Sequence, residues 1–100
     1  MENQKTICDW AIRTFGYPAN PQVIMDRMFQ EVRELENVDY QKKDSFEKIS
    51  DECADILIVL YQVADVFGLD LHSCVNHKMQ INRARKWKLN NDGTAQHVKE

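Results

Sequence analysis

The sequence predicts an all-α fold, a four-to-five-helix bundle completed by oligomerisation. Three observations carry this expectation. Apolar residues recur at helical spacing through most of the chain. Gly16, Pro21 and Gly68 stand at the edges of the periodic stretches, where glycine stops helices and proline opens them. The third periodic stretch is apolar around most of its circumference, so it needs cover on several sides. A chain of 100 residues has little surface to supply that cover.

Taken in order, residues 3–15 read as a first helix, with Ile7, Trp10, Ala11 and Phe15 on one side and Gly16 as the stop. Asn20 and Pro21 then supply an N-cap and a first helical residue. The second helix is expected from Pro21 to about Asp39, with Met25, Met28, Phe29, Val32 and Leu35 as its stripe. Residues 38–43 are polar and read as a loop. Asp44-Ser-Phe-Glu47 has the form of a capping box. It opens a third helix to about Phe67, lined by Ile49, Cys53, Ile56, Leu57, Leu60 and Ala64 and widened by Ile58, Val59, Val63 and Val66. Asp70 caps a fourth helix over 71–88, with Leu71, Cys74, Val75 and Met79 apolar. Asp92-Gly93-Thr94 is a turn signal in a tail of about 90–100, expected to be poorly ordered unless a ligand or partner holds it. One domain, residues 1–100, is expected throughout.

Charge is unevenly spread. Net charge is −3, yet residues 21–55 hold ten acids against five bases, and residues 78–88 hold five bases and no acid. An acidic site beside a basic helix fits a ligand that carries metal and phosphate together. The whole chain is acidic, so nucleic acid is not expected as a partner. Cys8, Cys53 and Cys74 form no C-x-x-C pair, and an odd count argues against a disulfide framework. Reduced thiols and a start without signal-peptide character lead to the expectation of a cytoplasmic protein. The longest apolar run is too short to span a bilayer and contains Asp55, so no membrane partner is expected.

The chemistry concentrates in Glu31-Val-Arg-Glu34 and Glu52-Cys-Ala-Asp55, separated by 17 residues. Carboxylates three apart share one side of a helix. Two such helices packed antiparallel bring four carboxylates to one point. They repel one another unless a cation lies between them, and hard oxygen ligands suit Mg²⁺, with Mn²⁺ as the alternative. Lys78, Asn82 and Arg85 share a face on the fourth helix.

The ordered set Glu31-x-x-Glu34, Glu52-x-x-Asp55 with an apolar run behind it, and Lys78-x-x-x-Asn82-x-x-Arg85 resembles the MazG-like nucleoside triphosphate pyrophosphohydrolases of the all-α NTP pyrophosphatase superfamily. The resemblance covers residues 7–94. It implies a helical bundle completed by a second subunit, as a homodimer or homotetramer. It implies Mg²⁺-dependent cleavage of an NTP or dNTP to the monophosphate and pyrophosphate, with house-cleaning of the nucleotide pool as the biological use. Glu31, Glu34, Glu52 and Asp55 match the catalytic and metal-binding carboxylates. Lys78, Asn82 and Arg85 match positions that contact phosphate and sugar, and Trp10 resembles aromatic residues near the base. The family's last motif ends in several arginines and Tyr-Pro, where this chain has Arg83-Ala84-Arg85-Lys86-Trp87. Two other readings stand beside this one: a phosphoribosyl-ATP pyrophosphohydrolase, and a non-catalytic helical module that binds nucleotides or partners.

Overall fold

The computed structural model describes residues 1–99, which form four helices and one hairpin. These are α1 (Gln4–Phe15), α2 (Pro21–Glu36), α3 (Ser45–Val66), α4 (Leu71–Ala84), β1 (Trp87–Leu89) and β2 (Ala95–His97). The fold is therefore all-α in its architecture, with four helices and a small two-stranded ribbon at its end.

Local chemistry accounts for most boundaries. Asn3 caps α1 in a reciprocal pair with Thr6, and Asn20 caps α2 by accepting from the Val23 amide at 3.2 Å. The stop of α3 is a Schellman turn. The Leu69 amide donates to the Ala64 carbonyl at 2.9 Å and the Gly68 amide to the Asp65 carbonyl at 3.0 Å. That turn needs Gly68 at φ 68°, in the left-handed region.

Three boundaries differ from the sequence reading. Helix α2 ends at Glu36 rather than near Asp39, because Asp39 turns its carboxylate onto the Gln41 amide. The Asp44 capping box does not form. Asp44 has φ −94° and ψ 9°, not the extended geometry of an N-cap, and its side chain makes no capping bond. Helix α4 ends at Ala84, with Arg85 extended at ψ 155°, instead of running to 88. Beyond it β1 and β2 pair antiparallel, with Trp87 opposite His97 and Leu89 opposite Ala95. The Trp87 indole N–H folds back onto the Asn82 carbonyl at 2.9 Å. Residues 87–88, expected as the end of α4, and residues 95–97 of the tail thus pair as a ribbon that closes the end of α4.

The core is narrow. Cys8 and Ala11 of α1 and Val59 and Ala64 of α3 are buried, all small enough for the two helices to lie close together. Helix α3 also packs against α2, so it is the central element. Helix α4 shares no extended interface with the others and buries none of its residues. It is held at its start. The Gln4 amide group donates to the Leu69 carbonyl at 2.7 Å and accepts from the Leu71 amide at 2.8 Å. Among the described residues, no helix is long and apolar enough to cross a membrane.

Candidate active site

Packing α2 on α3 brings carboxylates from both helices together. Oxygens of Glu31, Glu52 and Asp55 all lie within 4.8 Å of one another. Glu31 is 3% exposed, an unusual place for an acid. Arg27, one turn earlier on α2, donates to its Oε1 at 2.8 Å. Glu34 lies outside the tight group of three but close enough for its charge to raise the carboxyls of Glu31 and Glu52. The i,i+3 spacing therefore delivers three carboxylates to one point and the fourth to its edge.

The electrostatics of this group are unresolved by protein alone. Burial pushes the Glu52 carboxyl up to about 7, aided by the charge of Glu34 and by hydrogen bonding to Glu31 and Glu34. Burial also raises Glu31, with Glu34 and Asp55 acting in the same direction and Arg27 against them. Glu52 Oε2 is buried and has no hydrogen-bond partner among the described residues. A buried carboxylate oxygen without a donor is costly, and a divalent cation among these oxygens would satisfy it. The donor set is all carboxylate, which fits Mg²⁺ or Mn²⁺ and not a thiolate-seeking metal.

Two cavities meet at this group. The larger, about 820 Å³, lies between α1, α2 and α3 and includes Glu31 and Asp55 in its wall. Trp10, Phe15, Tyr17, Ile24 and Ile58 give it an apolar and aromatic lining, and Arg27 is its one cation among the described residues. That size and character suit a small-molecule ligand. Trp10 stands edge-to-face with Phe15 at 5.2 Å and keeps 48% of its surface exposed. The smaller cavity, about 360 Å³, lies under the α2–α3 loop. It is lined by the acids Glu34, Asp39, Asp44 and Glu52 together with Lys42 and Lys48.

Lys78, Asn82 and Arg85 are not brought to either cavity. Lys78 and Asn82 lie on the protruding α4, and Arg85 caps its end. Conversely, Arg27, Lys42, Lys48, Gln62 and Asp65 line the cavities although the sequence reading singled out none of them. Arg27 was legible as an i,i+4 partner of Glu31. Gln62 and Asp65 continue from Asp55 in helical steps along one face of α3. Cys8 donates to the Tyr61 carbonyl at 3.4 Å, and burial pushes its thiol up to about 11, so it is a packing residue. All three cysteines are free thiols.

Known proteins resemble this chain in sequence and in fold. The MazG-like family model matches residues 26–100. A dATP/dGTP diphosphohydrolase of Salmonella phage PMBT28 is 36% identical over 95 residues, covering 95% of this chain and 30% of that protein. A dATP/dGTP diphosphohydrolase of Cyanophage S-2L is 36% identical over 47 residues, covering 47% of this chain and 45% of that protein. This chain thus spans less than half the length of these curated relatives. Among solved structures, the Cyanophage S-2L MazG-like pyrophosphohydrolase bound to dGDP and three catalytic Mn²⁺ ions per active site superposes with a TM-score of 0.76 at 26% identity. That match covers 96% of this chain and 93% of the other. By its matched residues, its four-helix architecture and the carboxylates that α2 and α3 bring together, the chain belongs to the MazG-like family.

Proposed function

We propose that this protein is a divalent-metal-dependent nucleoside triphosphate pyrophosphohydrolase that splits purine deoxynucleoside triphosphates into monophosphate and pyrophosphate. The observation that carries the reading is the group of Glu31, Glu52 and Asp55 oxygens within 4.8 Å, holding a buried and unpartnered oxygen at the junction of two cavities. The names of the phage relatives support the substrate class, and the Mn²⁺ and dGDP of the solved relative support the metal and the nucleotide.

Glu31, Glu52 and Asp55 would hold the metal, Mg²⁺ or Mn²⁺, which when bound polarises phosphoryl oxygen and acidifies coordinated water. The aromatic cleft takes the nucleoside, with Trp10 against the base. The phosphates lie toward the smaller cavity, where the metal, with Lys42 and Lys48, would offset their charge against its acidic lining. Glu34, outside the tight group of three, is free to accept a hydrogen bond from the attacking water and to take up its proton. The anhydride between the α- and β-phosphates breaks, and pyrophosphate departs on the lysine side.

The working form is an oligomer, at least a homodimer. The chain exposes 8283 Å², whereas a compact monomer of 11.8 kDa would expose about 5,900 Å². Its radius of gyration is 16.5 Å, against about 13 Å for a compact domain of this length. The excess surface is of the order buried by obligate subunit interfaces. Apolar residues left open on α4 and the turn before it, including Phe67, Leu69, Val75 and Met79, are the contact surface. Lys78, Asn82 and Arg85 reach the phosphates once a second copy brings α4 against a carboxylate centre. A cytoplasmic location is part of this reading, since nucleotide pools lie there.

Pyrophosphate release from a panel of dNTPs, NTPs and phosphoribosyl-ATP, with and without Mg²⁺ or Mn²⁺, tests the proposal. Metal-dependent release from purine dNTPs is the expected result. Release from phosphoribosyl-ATP alone would transfer the assignment to that substrate, and release from none would reject hydrolysis.

A further inference from the structure

We propose that Asp65, with Gln62 one turn before it, reads the base of the substrate, and that its carboxylate selects guanine. The inference rests on the hydrolase reading and adds a specificity residue to it. Asp55, Ile58, Gln62 and Asp65 line the same 820 Å³ cleft at steps of three and four along α3. At 1.5 Å per residue, Gln62 stands about 10 Å and Asp65 about 15 Å along the helix from Asp55. An extended nucleotide whose phosphate lies beside Asp55 therefore carries its base toward this pair. Trp10 lines the cleft as well and offers an apolar surface to the ring.

Of the acids in the cleft wall, Glu31 and Asp55 belong to the carboxylate group, and Asp65 has no such role. Asp65 makes no ion pair or side-chain hydrogen bond among the described residues. Its charge is felt by Lys5 and by Cys8. Lys5, however, is bonded to Asp9 at 2.9 Å, so it is not the partner of Asp65. An ionised carboxylate only accepts hydrogen bonds. Guanine presents two adjacent N–H donors, N1–H and the 2-amino group, and can satisfy both carboxylate oxygens at once. Adenine turns its unprotonated N1 toward the same edge. Gln62 supplies one donor and one acceptor, and in the free protein it only grazes the Ile58 carbonyl at 3.4 Å. It can therefore turn to the remaining polar edge of the base.

The test compares wild type with Asp65→Asn in two readouts. The first is kcat/KM for dGTP, dATP and dITP, the last lacking the 2-amino group. The second is binding of dGMP and dAMP, which needs no catalysis. In the variant, kcat/KM for dGTP is expected to fall by about 10- to 100-fold, the cost of a lost bidentate base contact. The dGTP:dATP ratio of kcat/KM is expected to fall accordingly, and circular dichroism reports an intact fold. The wild-type preference for dGTP over dITP should vanish, and dGMP binding should weaken in parallel. If wild type turns over dNTPs and the variant leaves the dGTP:dATP:dITP ratios unchanged, the inference is overturned and the hydrolase reading stands. If no nucleotide is cleaved but the variant selectively loses dGMP, the base-reading role stands and the hydrolase reading fails. Neither cleavage nor a change in dGMP binding would remove both.

Discussion

Arg27 and Glu31 stand one turn apart on α2, joined at 2.8 Å, with the arginine side chain largely exposed and the glutamate almost fully enclosed. The pair marks where the aromatic cleft ends and the carboxylates begin. It is also the sole protein cation bonded to that group among the described residues.

Removing Arg27 leaves Glu31 buried among carboxylates without its donor. For Arg27→Gln without metal, a loss of about 1 kcal/mol is expected, below the range for buried charged hydrogen bonds because the guanidinium is exposed. That corresponds to a fall in Tm of roughly 4–8 °C. Saturating Mn²⁺ should abolish most of the difference, since the cation then neutralises Glu31. Differential scanning fluorimetry with and without Mn²⁺ reads this directly, and an equal fall in both conditions would contradict it.

Glu52 gives the metal-free protein a pH dependence of defined sign. Its carboxyl titrates near 7 in the fold, above the ordinary value of 4.5, so between those limits the folded state binds the extra proton. Stability is then full below about pH 4.5 and is lost progressively as pH rises toward 7. Metal-free Tm should therefore fall between pH 5 and 8. Glu52→Gln should flatten this part of the profile, and Mn²⁺ at pH 8 should restore the wild type. A Tm that climbs over that range in metal-free wild type would refute the assignment.

The two kinds of carboxylate should separate in a binding experiment. Asp55→Asn is expected to weaken Mn²⁺ binding by more than about 10-fold and to abolish turnover. Glu34→Gln is expected to leave Mn²⁺ affinity within a few fold while lowering kcat on the order of 10²- to 10⁴-fold, the worth of a positioned general base. Isothermal titration with Mn²⁺ beside steady-state kinetics distinguishes them. Parallel losses in both variants would make Glu34 a ligand instead.

Charges placed on the open face of α4 should break the assembly. Val75→Glu with Met79→Glu is expected to convert an oligomer into a monomer in sedimentation velocity and to remove turnover, while the helical content by circular dichroism is kept. A wild type that sediments as a monomer would sink the proposed assembly at once.

The sequence revealed the helices because their signals are local. Asn20-Pro21 and Gly68 announce their boundaries by backbone chemistry that no tertiary contact overrides. The Glu31-x-x-Glu34 spacing also put both acids on one side of α2, where the structure finds Glu31 buried and Glu34 exposed. What escaped depends on partners far along the chain. The capping box at Asp44 failed because the residues from 39 to 45 turn into α3 through their own backbone bonds, leaving Asp44 without an extended backbone. The hairpin was missed because residues 85–88 carry no glycine or proline to mark the end of α4 before β1 begins. Asp65 has no motif at all, and only the packing of α1 and α2 on α3 shows that it faces a cleft.

Among the described residues, Gln4 on Leu69 and Leu71, with Tyr61 beside His72, holds α4 at its first turn. Mechanically that makes the helix a lever with its fulcrum at the α3–α4 turn. Its 14 residues extend about 21 Å from the fulcrum, so a rotation of about 10° carries the far end through roughly 4 Å. Lys78, Asn82 and Arg85 ride at increasing radius along that arm. Arg85 stands at the far end of that arm, where any given tilt of α4 would displace it the most.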